Sequence, residues 1–161
     1  MKMNFFSKAA SMVLLAGSVF LASCDKDNDD NNNTAKTYTV ASTGNGTQVV
    51  PSVTTTAASS LTGTYNSGTN VLQYNITWTG LAATASTVSF YGPAAAGTNA
   101  SGSSQFDGTI TTPGIAGTAS GSVTLTETQE TDLLAGNWYY TVSNATYATG
   151  EVRGQVTTVV Q

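Results

Sequence analysis

One run, Asn70-Val71-Leu72-Gln73-Tyr74-Asn75-Ile76-Thr77-Trp78-Thr79-Gly80, constrains this chain more than any other. Its positions 72, 74, 76 and 78 are apolar, and 73, 75, 77 and 79 are polar. A period of two sends alternate side chains to opposite faces of an extended backbone, so the run predicts a strand with one face in a core and one in water. Leu61 and Tyr65 in the preceding segment, four residues apart, carry the same signal. Between the two runs lies Asn66-Ser67-Gly68-Thr69-Asn70, a turn in which Gly68 is expected to supply positive φ. The two runs together predict a hairpin.

Six further runs follow the same rule. They are 37–42 with Tyr38 and Val40, 86–91 with Val88 and Phe90, and 105–111 with Phe106 and Ile110. Later come 117–126 with Val123 and Leu125, 137–143 with Trp138, Tyr140 and Val142, and 151–160 with Val152, Val156 and Val160. Each is short, rich in Thr and bounded by Gly, Asn or Pro, a composition suited to a pleated, half-buried surface. About eight strands with one apolar face each predict an all-β domain of two antiparallel sheets packed face to face. One helical turn is expected near 127–135. Thr126-Glu127-Thr128-Gln129 fits a capping box, Leu133 and Leu134 would dock, and Gly136 would end it.

Composition removes several chemistries. The chain of 161 residues has no His and one Cys, which excludes a Ser-His-Asp triad, an imidazole metal site and an intrachain disulfide. Its five basic residues are four Lys and one Arg, too few for a nucleic-acid surface. Charged residues are 9% of the chain, so solubility rests on hydroxyls and amides.

Residues 1–23 read as an export signal. Lys2 and Lys8 precede an apolar run of 11 residues, Met12 to Ala22, too short for a spanning helix of about 20. The run closes in Leu21-Ala22-Ser23-Cys24, which resembles a bacterial lipobox, so Cys24 is the expected site of lipidation and membrane attachment. Residues 24–36 are polar and acidic and predict a solvated tether. Asp25, Asp27 and Asp29 have the first spacings of a calcium loop, but Asp30 stands where Gly is needed and Lys36 where Glu is needed. Acidic residues just after the cysteine resemble the surface-export signal of Bacteroidetes lipoproteins. The expected location is therefore the outer membrane, lipid-anchored and facing the cell exterior, with the periplasmic face as the alternative. Removing residues 1–23 takes away Lys2 and Lys8, so the net charge goes from −4 to −6.

Four stretches in order resemble the CHRD domain, a module of chordin and of many microbial secreted proteins. They are Gln48-Val49-Val50-Pro51, Leu72 to Leu81, Leu134-Ala135-Gly136-Asn137-Trp138-Tyr139-Tyr140, and Gly150-Glu151-Val152-Arg153-Gly154-Gln155. The last is the most specific. The resemblance covers about 38–157 and implies an immunoglobulin-like β-sandwich without an established catalytic activity. Many microbial members carry His-x-His before a Gly-Pro and a further His after the Tyr-rich strand. Here Ser89 and Tyr91 precede Gly92-Pro93, and Ser143 follows Tyr139-Tyr140, so any metal held through those positions in relatives lacks its ligands here.

The candidate site residues follow. Glu151, Arg153 and Gln155 fall at i, i+2 and i+4 of one strand and share a face, which reads either as a polar recognition strip or as a brace. In the brace, Arg153 pairs with Glu151 and with loop carbonyls. Gly150 and Gly154 complete that motif. Tyr91, Tyr139 and Tyr147 fall on the outward phase or in loops and form a possible binding surface for a protein or a glycan. Asp107, Glu127, Glu130 and Asp132 are the remaining carboxylates of residues 37–161. A glycan hydrolase would need two of them across one cleft, and a calcium module would need Asp107 or the tether. The sequence names no catalytic residue, no metal ligand and no cofactor. The reading it supports is a domain at 37–161 that binds or braces, behind a signal at 1–23 and a tether at 24–36.

Overall fold

A computed structural model describes residues 34–161. The export signal, Cys24 and all but the last residues of the tether lie outside the described residues.

The strands, in chain order, are β1 (Thr37–Asn45), β2 (Ala58–Asn66), β3 (Val71–Thr79), β4 (Ala85–Tyr91), β5 (Phe106–Gly108), β6 (Ile110–Thr112), β7 (Gly117–Thr124), β8 (Tyr139–Asn144), β9 (Val152–Gln155) and β10 (Thr157–Val160). A 3-10 turn, Gly46–Gln48, follows β1, and a helix, α1 (Glu127–Leu134), separates β7 from β8. The fold is all-β and its pairings are antiparallel. The sheet runs β5-β4-β8-β9-β1-β2-β3-β7-β6, with β10 also on β1.

All eight expected runs form strands, but two of them break. The run 105–111 becomes β5 and β6 on either side of Thr109, and the run 151–160 becomes β9 and β10 on either side of Val156. Strand β5 pairs with β4, whereas β6 pairs with β7. Strand β9 pairs with β8 and, at Arg153 opposite Asn45, with β1, whereas β10 pairs with β1 alone. Each broken run therefore passes its hydrogen bonds from one side of the molecule to the other. The two layers expected as separate sheets are one sheet, nearly closed into a barrel. The physical gain is that a strand changing neighbours at a corner leaves little unpaired edge. Thr109 marks one corner: its amide donates to the Tyr74 hydroxyl at 3.1 Å and its carbonyl accepts from Ser120 at 3.0 Å. Val156 marks the other, with its amide donating to the Trp138 carbonyl at 2.8 Å and its side chain in the core.

The interior is what the alternation requires. Leu72, Tyr74, Ile76 and Trp78 of β3 all point inward, as do Leu61 and Tyr65 of β2, Val88 and Phe90 of β4, and Tyr140 and Val142 of β8. Phe90 and Phe106 stack at 4.5 Å, with Tyr74 edge-on to Phe90 at 5.3 Å. Val160, expected inside, is 54% exposed and Val159 is 66% exposed. The break at Val156 leaves β10 as a short segment against β1, and its tip meets water on both faces.

Two local expectations have distinct outcomes. In the β2–β3 turn the left-handed residue is Asn70 (φ 57°), not Gly68, while the Asn66 side chain accepts from the amides of Gly68 and Thr69 at 2.9 and 3.1 Å. Asn tolerates that conformation and the Asn66 side chain closes the turn, so Gly68 is set by close approach and not by φ: a Cβ there would lie 2.5 Å from that of Ala35. The capping box of α1 forms as the spacing dictates. Thr126 Oγ1 accepts from the Gln129 amide at 3.3 Å, and Gln129 Oε1 accepts from the Thr126 amide at 2.9 Å. Gly136, at φ 73°, follows the helix end.

Candidate functional site

Strand β9 carries the closing motif and sends its side chains two ways. Val152 and Gly154 face the barrel interior; Arg153 and Gln155 face out. Gly154 is required by close approach, since a Cβ there would lie 2.5 Å from Ser42 Oγ and 2.7 Å from the Tyr140 ring. Tyr140 Oη also shares a 2.8 Å hydrogen bond with Ser59 Oγ. Burial pushes its hydroxyl up to about 12, against the opposing pull of the Ser59 and Ser42 hydroxyls.

The outward face of β9 is largely covered, because loops fold over it, and Gln155 is half-buried. Arg153 is 2% exposed. Its Nη1 donates to the Gln48 carbonyl at 3.0 Å, and its Nη2 donates to the Thr98 carbonyl at 2.7 Å and to Gln155 Oε1 at 3.2 Å. Its guanidinium lies 3.8 Å from the centre of the Tyr139 ring, a cation–π contact. Gln155 Nε2 donates to the Ala94 and Gly136 carbonyls at 2.9 and 2.8 Å, and its amide donates to Gln48 Oε1 at 3.2 Å. The two side chains thus hold the segment after β1, the loop after β4 and the end of α1 against one strand. Burial lowers the Arg153 pKa from its ordinary value, and Tyr139 acts in the opposite sense.

The loop-carbonyl half of the expected brace is present; the Arg153–Glu151 pair is not. Glu151 precedes β9, so the shared-face rule of a regular strand does not carry it to Arg153. It is fully buried and has three partners of its own: Thr55 Oγ1 at 2.5 Å, the Ala82 amide at 2.9 Å and Asn144 Nδ2 at 2.6 Å. All three donate to the carboxylate. Asn144 Oδ1 in turn accepts from the amides of Thr146 and Tyr147 at 3.0 and 2.9 Å, and the Gly150 amide donates to the Tyr147 carbonyl at 3.1 Å. Glu151 therefore ties three loop segments together much as Arg153 does.

The three tyrosines do not form one exposed surface. Tyr139 is buried, stacked on Tyr91 at 5.2 Å with ring planes 17° apart, and its hydroxyl accepts from the Ala100 amide at 3.2 Å. Tyr91 is half-buried at the outer side of that stack. Tyr147 is half-buried in the β8–β9 turn and makes no ring contact with either. An outward phase along β8 does not mean exposure, because a loop covers the strand.

The carboxylates lie on different elements. Asp107 Oδ1, on β5, accepts from Ser89 Oγ at 2.6 Å. Glu127 and Glu130 occupy the first turn of α1, and Glu130 adds to the burial that holds the Tyr65 hydroxyl above its ordinary range. Asp132 is half-buried on α1, where its carbonyl accepts from the Asn137 amide at 3.0 Å. Among the described residues no three His, Cys, Asp or Glu side chains converge as a metal site would require. Ser89, Tyr91 and Ser143 share the outer face of β4–β8, where Ser89 is bonded to Asp107.

A cleft of about 390 Å³ opens over Arg153. Its walls include Thr47, Val50, Pro51 and Ser52 on one side and Ala96 and Gly97 on the other, with Arg153 and Gln155 on the β9 side. Sequence reasoning assigned no role to Gln48, Thr55 or Asn144. Gln48 stood within a motif of the resemblance, which was its one available signal. Thr55 and Asn144 carried none, because their partners lie 96 and 7 residues away in the chain.

The comparisons with known proteins bear on this arrangement. The CHRD domain model matches residues 40–156, from β1 through the closing motif. No curated protein and no solved structure matches the chain.

Proposed function

Because the chain belongs to the CHRD-domain family, we propose that it is a lipid-anchored, non-catalytic binding module of the cell envelope, held at the outer membrane through Cys24. In this reading the nearly closed sheet is an immunoglobulin-like sandwich. One face is β5-β4-β8-β9, the other β1-β2-β3-β7-β6, and the breaks at Thr109 and Val156 are its corners. The loop-lined cleft over Arg153 meets a protein or glycan partner.

One observation carries the non-catalytic reading. The buried charged side chains, Glu151 and Arg153, are both engaged by backbone groups, hydroxyls and amides of neighbouring loops instead of facing each other across a cleft. Such an arrangement holds loops in place. General acid–base work needs a group within reach of a substrate proton. Anchoring rests on the sequence around Cys24; among the described residues no helix is long and apolar enough to cross a membrane.

The test is fractionation of the full chain and of Cys24→Ser. Wild type should sediment with membranes and be cleaved by protease added to intact cells, and Cys24→Ser should appear in the soluble fraction. A variant that stays membrane-bound overturns the anchor.

A further inference from the structure

We propose that the cleft over Arg153 is a binding site for a small organic carboxylate of about monosaccharide size. This rests on the binding-module reading above and names the ligand class for its cleft.

Among the described residues Arg153 is a buried cation without an anion. Side chains of this kind are almost never fully buried unless paired, and a guanidinium keeps its charge at any ordinary pH. Arg153 is 2% exposed, yet the oxygens that accept from it are the Gln48 and Thr98 carbonyls and Gln155 Oε1, all uncharged. Glu151, two residues away, is turned to Thr55, Ala82 and Asn144. The Tyr139 ring beneath the guanidinium supplies a quadrupole and no hydrogen-bond acceptor. A guanidinium has five N–H donors. Three are used here: Nε–H has no partner, and Nη1 donates once. Among the described residues the site is short of negative charge, and of the two unused donors Nε–H is buried, which leaves Nη1 as the one a ligand would meet.

The cleft borders Arg153 on its Nη1 side. Nη1 is on the Gln48 side, and Gln48 forms part of the cleft wall. About 390 Å³ is within the range of small-ligand sites. The lining combines hydroxyls, Thr47 and Ser52, with small apolar surfaces, Val50, Pro51 and Ala96. Such a wall suits a ring with hydroxyls on its edge and hydrocarbon on its face. The rest of the domain is acidic: residues 37–161 hold five carboxylates and one Arg, so this is where an anion finds an attractive group. A ligand carboxylate at Nη1 would give Arg153 the charged partner it lacks.

The experiment is calorimetric titration of the full chain in detergent with glucuronate, glucose and sulfate. Glucuronate should bind saturably, and glucose should bind at least tenfold more weakly. Sulfate, lacking the ring, should also be at least tenfold weaker. Ala96→Glu is the main variant, because Ala96 is exposed at the cleft wall and the change adds a competing carboxylate without touching the core. It should lower glucuronate affinity at least tenfold with an unchanged melting temperature. Equal affinity for glucose and glucuronate, equal affinity for sulfate, or unaltered binding in Ala96→Glu overturns the proposal. The broader reading has its own readout, binding of the unlipidated Cys24→Ser chain to isolated envelope material. If that binding is present while glucuronate fails, only the carboxylate assignment falls. If it too is absent, the binding-module reading falls as well.

Discussion

Strands β3 and β8 both line the barrel, yet they treat their outward faces differently. Along β3 burial alternates: Leu72, Tyr74, Ile76 and Trp78 are inside, and Gln73, Asn75 and Thr79 are exposed. Along β8 all six residues are buried. Its inward side chains, Tyr140 and Val142, behave like those of β3. Its outward ones, Tyr139, Thr141 and Ser143, lie on a face of the sheet that loops cover, held down by Arg153, Gln155 and Glu151. One side of the molecule is a sheet against water, and the other is a sheet beneath a layer of irregular chain. An irregular layer cannot satisfy its own backbone groups as a helix does, so it draws on side chains anchored in the sheet below. That is why the two buried charges sit at β9 and none sits along β3.

The comparison breaks most visibly at Glu151. Removing its carboxylate in Glu151→Ala takes the acceptor from three donors, the buried Asn144 and the partly buried Thr55 and Ala82. The expected loss is about 3 kcal/mol or more, read from the urea midpoint at constant m. A loss below about 1 kcal/mol would mean that the loop layer is not tied down by this group.

Alkaline pH tests the boundary between the two regions, where Tyr140 of β8 meets Ser59 of β2. Its hydroxyl is raised from 10.0 to about 12 in the fold, so folding favours the protonated form. The associated stability is complete below about pH 10 and is lost as pH rises through about 12. The effect is on the order of 2–3 kcal/mol. Tyr140→Phe should show a smaller fall over that window in denaturation followed against pH. An equally steep fall would assign the alkaline loss to other groups, with Tyr65 next in line because burial raises it too.

The smallest effect belongs to the water-facing side. Thr62 is exposed on β2 opposite Asn75 of β3. Thr62→Ser should move the melting temperature by no more than about 0.5 kcal/mol allows. A larger shift would show that this face is covered after all.

Much of the fold was legible because the core asked little beyond period two. The β3 alternation, the β2–β3 hairpin and the capping box at Thr126 and Gln129 are decided by residues within a few positions of one another. The site was legible only in outline. The motif from Gly150 to Gln155 marked where it lies, but the partners of Arg153 come from Gln48 and Thr98, 105 and 55 residues distant. Spacing along a strand suggested Glu151 as the counter-ion, since proximity in sequence was the one distance available. It likewise made Tyr139 look exposed, since alternation assigns a side chain to a face without saying what covers that face.

The sequence by itself determined where strands form, which side chains they bury, and where the helix begins, because steric and hydrophobic preferences act over one or two turns of chain. Tertiary structure alone decided that two runs would break at Thr109 and Val156 to close the sheet. It alone decided that Glu151 and Arg153 would find separate partners, and that a cation would lie beneath a cleft with uncharged acceptors around it. Those outcomes depend on which loops come to lie over which strand, and loop placement is settled by contacts across the whole domain.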